Sequence, residues 1–296
     1  KMGAKLILTC DCGVTAHDQV RMANEMGMKV VVTDHHTVGD EIPDAAAVVN
    51  PHRKDSRYPF KDISGAGVAF KVCAGITQDL GLTIDGYYRA FLDLAALGTI
   101  ADVMPLRGET RIIARHGLAH IKSSNKRGLQ ALLKETELFE SPLPLRAYHV
   151  SFVIGPRLNA AGRIDDAAVS LKLLLEKDEI QAGILARQIE AINTNRREEQ
   201  DRIIKEAVEI AEAEGLTQRS VVVIGRENWH PGVIGIVAGQ LVEQFNRPCF
   251  IASIDHQAGI CKGSARTIVA LDLFQAIEAH RHLLISGGGH AMAAGF

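Results

Sequence analysis

The sequence predicts an α/β protein of two lobes joined by a long helix. Three observations carry this. Near the amino end, an apolar run (residues 6–9), a helical spacing (14–28) and a β-branched run (29–33) follow one another. That is the rhythm of a parallel βαβ unit, which needs about 30 residues. The alternation starts again at Ser220, and the stretch between, from Ala167 to about Glu214, reads as nearly continuous helix.

Each element follows from its residues. Residues 6–9 are expected as a buried strand. In 14–28, Val20, Ala23 and Met26 or Gly27 share one side. A third strand is expected at 45–49, closed by Asn50-Pro51. Ser64-Gly65-Ala66-Gly67 opens an apolar helix to about Leu80, and 87–97 reads as another. That helix runs into GTIADVMPL, where Asp102 stands alone among apolar residues. Helices continue to about Glu137, and 141–150, with two prolines, is expected as a connection. In the second lobe, strands are expected at 221–224, 248–252 and 259–265, and helices at 232–245 and 271–279. The expected domains are 1–150, a connecting segment and long helix over 151–215, and 216–296. The charged segment NRREEQDRIIK (195–205) is expected as a solvated face with i,i+4 pairs.

Composition narrows the function classes. With 296 residues, 47% of them hydrophobic, the chain can bury a large core and form two domains. No apolar run approaches the roughly 20 residues of a membrane span, so no membrane is expected. The start, KMGAKLILTCDCG, is no signal peptide. Five scattered cysteines suit a reducing cytoplasm better than a disulfide framework. Cys10 and Cys12 lack a second pair to complete a zinc site and are expected as small buried hydrophobes. A formal net charge of −2 means that any nucleic-acid site must be a local patch. Lys1 is no initiator and GGGHAMAAGF stops at an unfinished element, so the chain is expected to be an excerpt of a longer protein.

The stretch VVTDHHTVGD holds the first chemistry. A strand ends in Asp34-His35-His36, while Asp11 follows the strand before it. In an open parallel sheet both lie at the carboxyl edge, where such folds place ligands. Asp11, His35 and Asp102 form an oxygen and nitrogen set that suits manganese or magnesium and can also hold zinc. Two ions about 3.5–4 Å apart would clamp an attacking hydroxide and a phosphate oxygen. Three ligands and one extra histidine are too few for two filled spheres. The plain readings are that a lone Asp after a strand caps a helix and a lone His is structural. Two adjacent histidines after an acid favour a site.

The second lobe offers phosphate chemistry. Ser264 and Arg266 in KGSAR form a local phosphate clamp. Gly287, Gly288, Gly289 and His290 allow close backbone approach. GPRLNAAGR adds Arg157 and Arg163. Trp229 either stacks a base or packs, packing being the commoner case.

These segments together resemble the DHH phosphoesterase superfamily, and within it the bacterial RecJ family of exonucleases. The motifs are TCDCG (9–13), VTDHH (32–36), GTIADVMPL (98–106), GPRLNAAGRIDDA (155–167), GSAR (263–266) and GGGHAMAAGF (287–296). The resemblance implies a DHH domain and a smaller DHH-associated domain, with substrate running between them. It implies two Mn2+ or Mg2+ ions in the complete protein, with Asp11 bridging and His35 and Asp102 ligating. His36 would meet the scissile phosphate, supported by Asp34. Ser264 and Arg266 would hold a terminal phosphate, with Arg163, Arg157, His290, Gly288 and Gly289 along the nucleic-acid path. The implied activity is 5′-to-3′ hydrolysis of single-stranded DNA to mononucleotides in recombination and repair, in the cytoplasm. A helicase and a single-strand-binding protein are the implied partners. The family's first, Asp-x-Asp motif is not present before Asp11, so weak metal binding and poor activity are expected of this chain alone. The alternatives are a DHH phosphodiesterase of short RNA or cyclic dinucleotides, and a non-catalytic DNA-binding scaffold.

Overall fold

A computed structural model describes residues 3–296. The chain forms two compact units. One takes in residues up to Pro156 together with Leu174–Gly183, and the other Arg157–Leu173 with Ile184–Phe296.

The first unit begins with β1 (Leu6–Leu8), α1 (His17–Glu25), β2 (Lys29–Thr33) and β3 (Ala47–Val49). The strands form a parallel sheet in the order β1-β2-β3, with Leu6 opposite Lys29 and Val31 opposite Ala47. Val30 and Val32 of β2 are buried against Val20 and Ala23 of α1 and Val48 of β3. Each valine buried this way contributes about 1.5–3 kcal/mol.

Four helices follow: α2 (Gly65–Asp79), α3 (Ile84–Ala101), α4 (Gly108–Ile121) and α5 (Arg127–Glu135). Ser64 caps α2 by accepting the Gly67 N–H at 3.0 Å, and its hydroxyl meets Thr99 of α3 at 3.1 Å. Small residues let the helices close up. A Cβ on Gly98 would lie 2.3 Å from Ala66 Cβ, and one on Gly117 would lie 2.3 Å from Ala96 Cβ and 2.4 Å from the Leu92 carbonyl. A helical turn α6 (Ala147–His149) passes through a π-helical turn, Val150–Ile154, into α7 (Gly155–Ile164).

Helices α8 (Ala168–Leu175) and α9 (Glu179–Ala213) come next, the latter 35 residues long. The second sheet comprises β4 (Val222–Arg226), β5 (Cys249–Asp255), β6 (Ile260–Arg266), β7 (Gly288–His290) and β8 (Ala293–Gly295), with α10 (Ile234–Phe245) and α11 (Leu273–Ala279) between strands. Its order is β4-β5-β6-β8-β7, parallel only between β4 and β5. Ile203, Ala207 and Ala211 of α9 pack with Val222, Ile224, Val237, Leu241 and Ile251 in one core.

Several expectations are corrected. Leu6 and Leu8 are exposed, not buried, because β1 is an edge strand that pairs only with β2 among the described residues. Helix α1 is shorter than 14–28. Met26 is its exposed cap and Gly27 leaves at φ 75°. Helix α3 extends past 87–97 at both ends. The helical stretch after 167 is two helices, broken where the Glu176 carboxylate accepts the N–H groups of Lys177 and Asp178. Cys10 and Cys12 are exposed, since the loop after an edge strand has nothing to bury them. Within 195–205, Arg202 pairs with Glu199 and Glu206 as expected, but Arg196 and Gln200 are buried.

Replacing Gly117 with Ala is expected to lower the stability of the first unit by about 1–3 kcal/mol, the usual cost of overpacking. A urea midpoint equal to that of the parent protein would show that the α3–α4 seam is looser than described.

Candidate active site

β2 ends at Thr33, and Asp34 follows it, only 1% exposed. A carboxylate so buried must find donors. Its Oδ2 accepts the Val14 N–H at 3.0 Å. Its Oδ1 accepts the N–H groups of His35 and His36 at 2.8 and 3.2 Å, and His36 Nδ1 lies 2.7 Å away. Burial opposes the charge, but these bonds outweigh it and hold the carboxyl below the usual Asp range. An ionised Asp34 makes Nδ1 the protonated nitrogen of His36 and fixes its ring. From the end of β3, Asn50 Nδ2 donates to the His36 carbonyl at 3.0 Å.

His35 Nε2 lies 3.1 Å from Asp11 Oδ1 and 3.5 Å from Asp102 Oδ2. Asp11 follows β1 in the left-handed region, φ 63°, with its N–H on Thr33 O at 3.0 Å. Short polar side chains tolerate that conformation. Asp102 ends α3, its N–H on Gly98 O at 3.0 Å. Val103 then turns left-handed at φ 55°, and Met104 N–H reaches back to Thr99 O, as in a helix-stop motif. Three element ends thus meet at one point.

The electrostatics are those of a cation site. The hydrogen bond to Asp11 raises the His35 pKa against its burial, and the charges of Asp102, Asp11 and Asp34 add to the effect. Burial raises Asp102, and the Asp11 charge raises it further against the two histidines. Asp11, His35 and His36 present ligand atoms within 4.8 Å of one another. Carboxylate and imidazole in so small a space fit a hard or borderline divalent ion.

One residue of the site escaped the sequence reading. A Cβ on Gly65 would lie 2.1 Å from Asp11 Oδ1 and 2.6 Å from Asp11 Cβ. Gly65 is therefore the space into which Asp11 fits. The sequence showed it only as a helix opening after the Ser64 cap.

In the second unit, Ser264 and Arg266 lie on β6. Arg266 Nη1 donates to Ser264 Oγ at 2.9 Å and to the Ala265 carbonyl at 2.8 Å. A Cβ on Gly235, in the first turn of α10, would lie 3.0 Å from Ser264 Oγ and 3.3 Å from Arg266 Nη2. Arg163 donates Nη1 to Gly232 O at 3.3 Å, just before the same helix. Burial lowers the Arg266 pKa, and the nearby Arg163 charge lowers it further. Ser264, Arg266 and Arg163 are thus gathered at one helix start. Arg157 is buried, with Nε and Nη2 on the Glu190 carboxylate (Nη2 to Oε1, 3.1 Å), so its charge is already met. Gly288, Gly289 and His290 are exposed on β7, the edge of the sheet. A Cβ on Gly289 would meet the Ala293 carbonyl at 2.2 Å, so the hairpin itself requires that glycine. Trp229 is 1% exposed and donates Nε1–H to Glu206 at 2.7 Å, so it packs.

The chain resembles known proteins over nearly its whole length. Residues 3–99 match the DHH family, N-terminal domain, and residues 218–296 the DHHA1 domain. The chain is 41% identical over 295 residues to the single-stranded-DNA-specific exonuclease RecJ of Bacillus subtilis, covering 99% of this chain and 36% of that one. To the Escherichia coli protein of the same name it is 36% identical, covering 99% and 53%. The crystal structure of RecJ from Thermus thermophilus in complex with Mn2+ superposes with a TM-score of 0.86 at 36% identity, covering 99% of this chain and 42% of that one. A structure of exonuclease RecJ bound to manganese gives 0.82 at 35% identity, covering 99% and 70%. The chain belongs to the RecJ family. It spans 36% to 53% of the length of these curated RecJ relatives.

Two substitutions check the site. Gly65→Ala is expected to keep the fold but displace Asp11, weakening Mn2+ binding at least ten-fold, the lower end for disturbing a ligand's support. Calorimetric titration equal to the parent would show that Asp11 does not need that space. Asp34→Asn turns one oxygen into a donor facing N–H groups, so a stability loss of about 1–3 kcal/mol is expected by thermal melting. An unchanged melting point would count against an anion-centred turn.

Proposed function

We propose that this chain carries the phosphodiesterase centre of a metal-dependent 5′-to-3′ exonuclease, releasing mononucleotides from single-stranded DNA in recombination and repair. The observation that supports it most is the convergence of Asp11, Asp102 and His35 at 3.1 and 3.5 Å beside a pre-oriented His36. RecJ from Thermus thermophilus has been crystallised with Mn2+ and with Mg2+, and the donor set here suits either ion. Asp11, His35 and Asp102 would hold the metal, Asp11 bridging two ions in the complete protein. Bound metal would supply a hydroxide at neutral pH and offset the charge on the phosphate.

The chain's own residues do the rest. Asp34 keeps His36 protonated at Nδ1 and in place beside the scissile phosphate. Asp11 and Asp102 orient His35 from either side. In the second unit, Ser264, Arg266 and Arg163 give the strand a charge-assisted phosphate grip, with Arg157, Gly288, Gly289 and His290 as the remaining candidates along the path. Among the described residues, no helix is long and apolar enough to cross a membrane. The five cysteines are free thiols, which supports the cytoplasm as the compartment. A helicase that opens duplex and a protein that coats single strands are the partners this reading implies.

The test uses the natural full-length protein with Mn2+ and labelled DNA carrying a 5′ phosphate. Mononucleotides are expected from single strands and not from duplex, with His35→Ala slower by about 100-fold or more. Cleavage of dinucleotides alone would move the assignment to a short-substrate phosphodiesterase. Binding without cleavage would make the chain a scaffold.

A further inference from the structure

Arg196 lies on α9, only 7% exposed, yet no carboxylate pairs with it among the described residues. Its Nη1 donates to Gln200 Oε1 at 2.6 Å and its Nη2 to Asn193 Oδ1 at 2.7 Å, both neutral amides. Gln200 in turn donates to Gln240 of α10 at 3.1 Å. The guanidinium has five N–H donors, and these two bonds leave three. The surroundings are mostly cationic. Burial lowers the Arg196 pKa, the charges of Arg197, Arg163 and Arg157 lower it further, and only Asp201 acts the other way. Arg157, by contrast, has Glu190.

A second observation points to a ligand at the same place. Asn193 is fully buried and its Nδ2 has no hydrogen-bond partner among the described residues. The amide oxygen is taken by Arg196, so the unmet donor sits beside the guanidinium. A buried cation without a counter-charge and a buried donor without an acceptor each cost free energy. One oxyanion would answer both.

We propose that Arg196 and Asn193 form an inner oxyanion subsite of the second unit, and that its ligand is a phosphate group of the substrate strand. Gln200 and Gln240 brace the guanidinium between α9 and α10, while Ser264, Arg266 and Arg163 serve the outer grip at the start of α10. Neutral amides hold the cation in place without neutralising it, so its charge stays available to the incoming phosphate. The identity of the ligand rests on the phosphodiesterase reading, but the existence of the subsite is measured without cleavage.

The experiment is thermal melting in potassium phosphate against potassium chloride at matched ionic strength, repeated with a deoxynucleoside 5′-monophosphate and its nucleoside. The melting point of the parent is expected to rise with phosphate and with the monophosphate, and not with the nucleoside. Asn193→Asp puts a carboxylate beside Arg196. It is expected to melt higher in chloride and to lose the phosphate response. Arg196→Gln is expected to raise the phosphate needed for half the shift by about ten-fold, and Arg196→Lys by less. The proposal is overturned if Asn193→Asp still responds like the parent or melts lower in chloride. It is equally overturned if Ser264→Ala with Arg266→Gln removes the whole response. Neither result would bear on cleavage at His35, which is assayed separately.

Discussion

The Asp34 carboxylate is the constraint on which the rest of the site depends. It is buried at the point where β2 runs out of sheet, and it accepts three backbone N–H groups and a histidine ring. Those donors come from the loop after β1 and from the turn after β2, so one anion ties two strand ends together. The clustered side chains inherit their positions from it. His35 is aimed by the turn, His36 is clamped by its ring, and the Val14 bond fixes the loop that carries Asp11. A neutral side chain of the same shape would lack the acceptors to do this.

The sheet edge supplies only part of the centre. Asp102 arrives from the end of α3, so the seams that place α3 are functional as well as structural. Gly98 against Ala66 sets its distance from α2, and Gly117 against Ala96 its distance from α4. Gly65 adds a third small residue, at the start of α2, where any side chain would collide with Asp11. The cluster of Asp11, His35 and Asp102 is held together by glycines that permit close approach as much as by its own polar contacts.

Much of this was legible in the sequence because the signals were local. The parallel βαβ unit, the helix opening at Ser64–Gly67 and the strands around KGSAR each follow from a few adjacent residues. Asp11, His35 and Asp102 could be nominated because two adjacent histidines after an acid at a strand end are rarer than a lone Asp or His there. Features set by distant partners could not be read. Apolar residues 6–8 look like a core strand, and only the sheet order makes them an edge. Gly65 looked like punctuation because its neighbour Asp11 is 54 positions away. Arg196 lay within a run of charges whose average behaviour is to face solvent, and Arg202 in that run does so.

The two units manage charge in opposite ways within a chain of net charge −2. The first unit gathers acids and imidazoles, where the hydrogen bond to Asp11 raises His35, and burial with the Asp11 charge raises Asp102. The second gathers guanidinium groups, where burial and then the neighbouring arginine charges lower Arg196 and Arg266. Asp11 and Asp102 in the first unit, and the arginines in the second, are like charges held close by packing, which is unfavourable without a counter-charge. A cation would offset the first and an anion the second, and each field is local to its own unit, with no dependence on the overall charge.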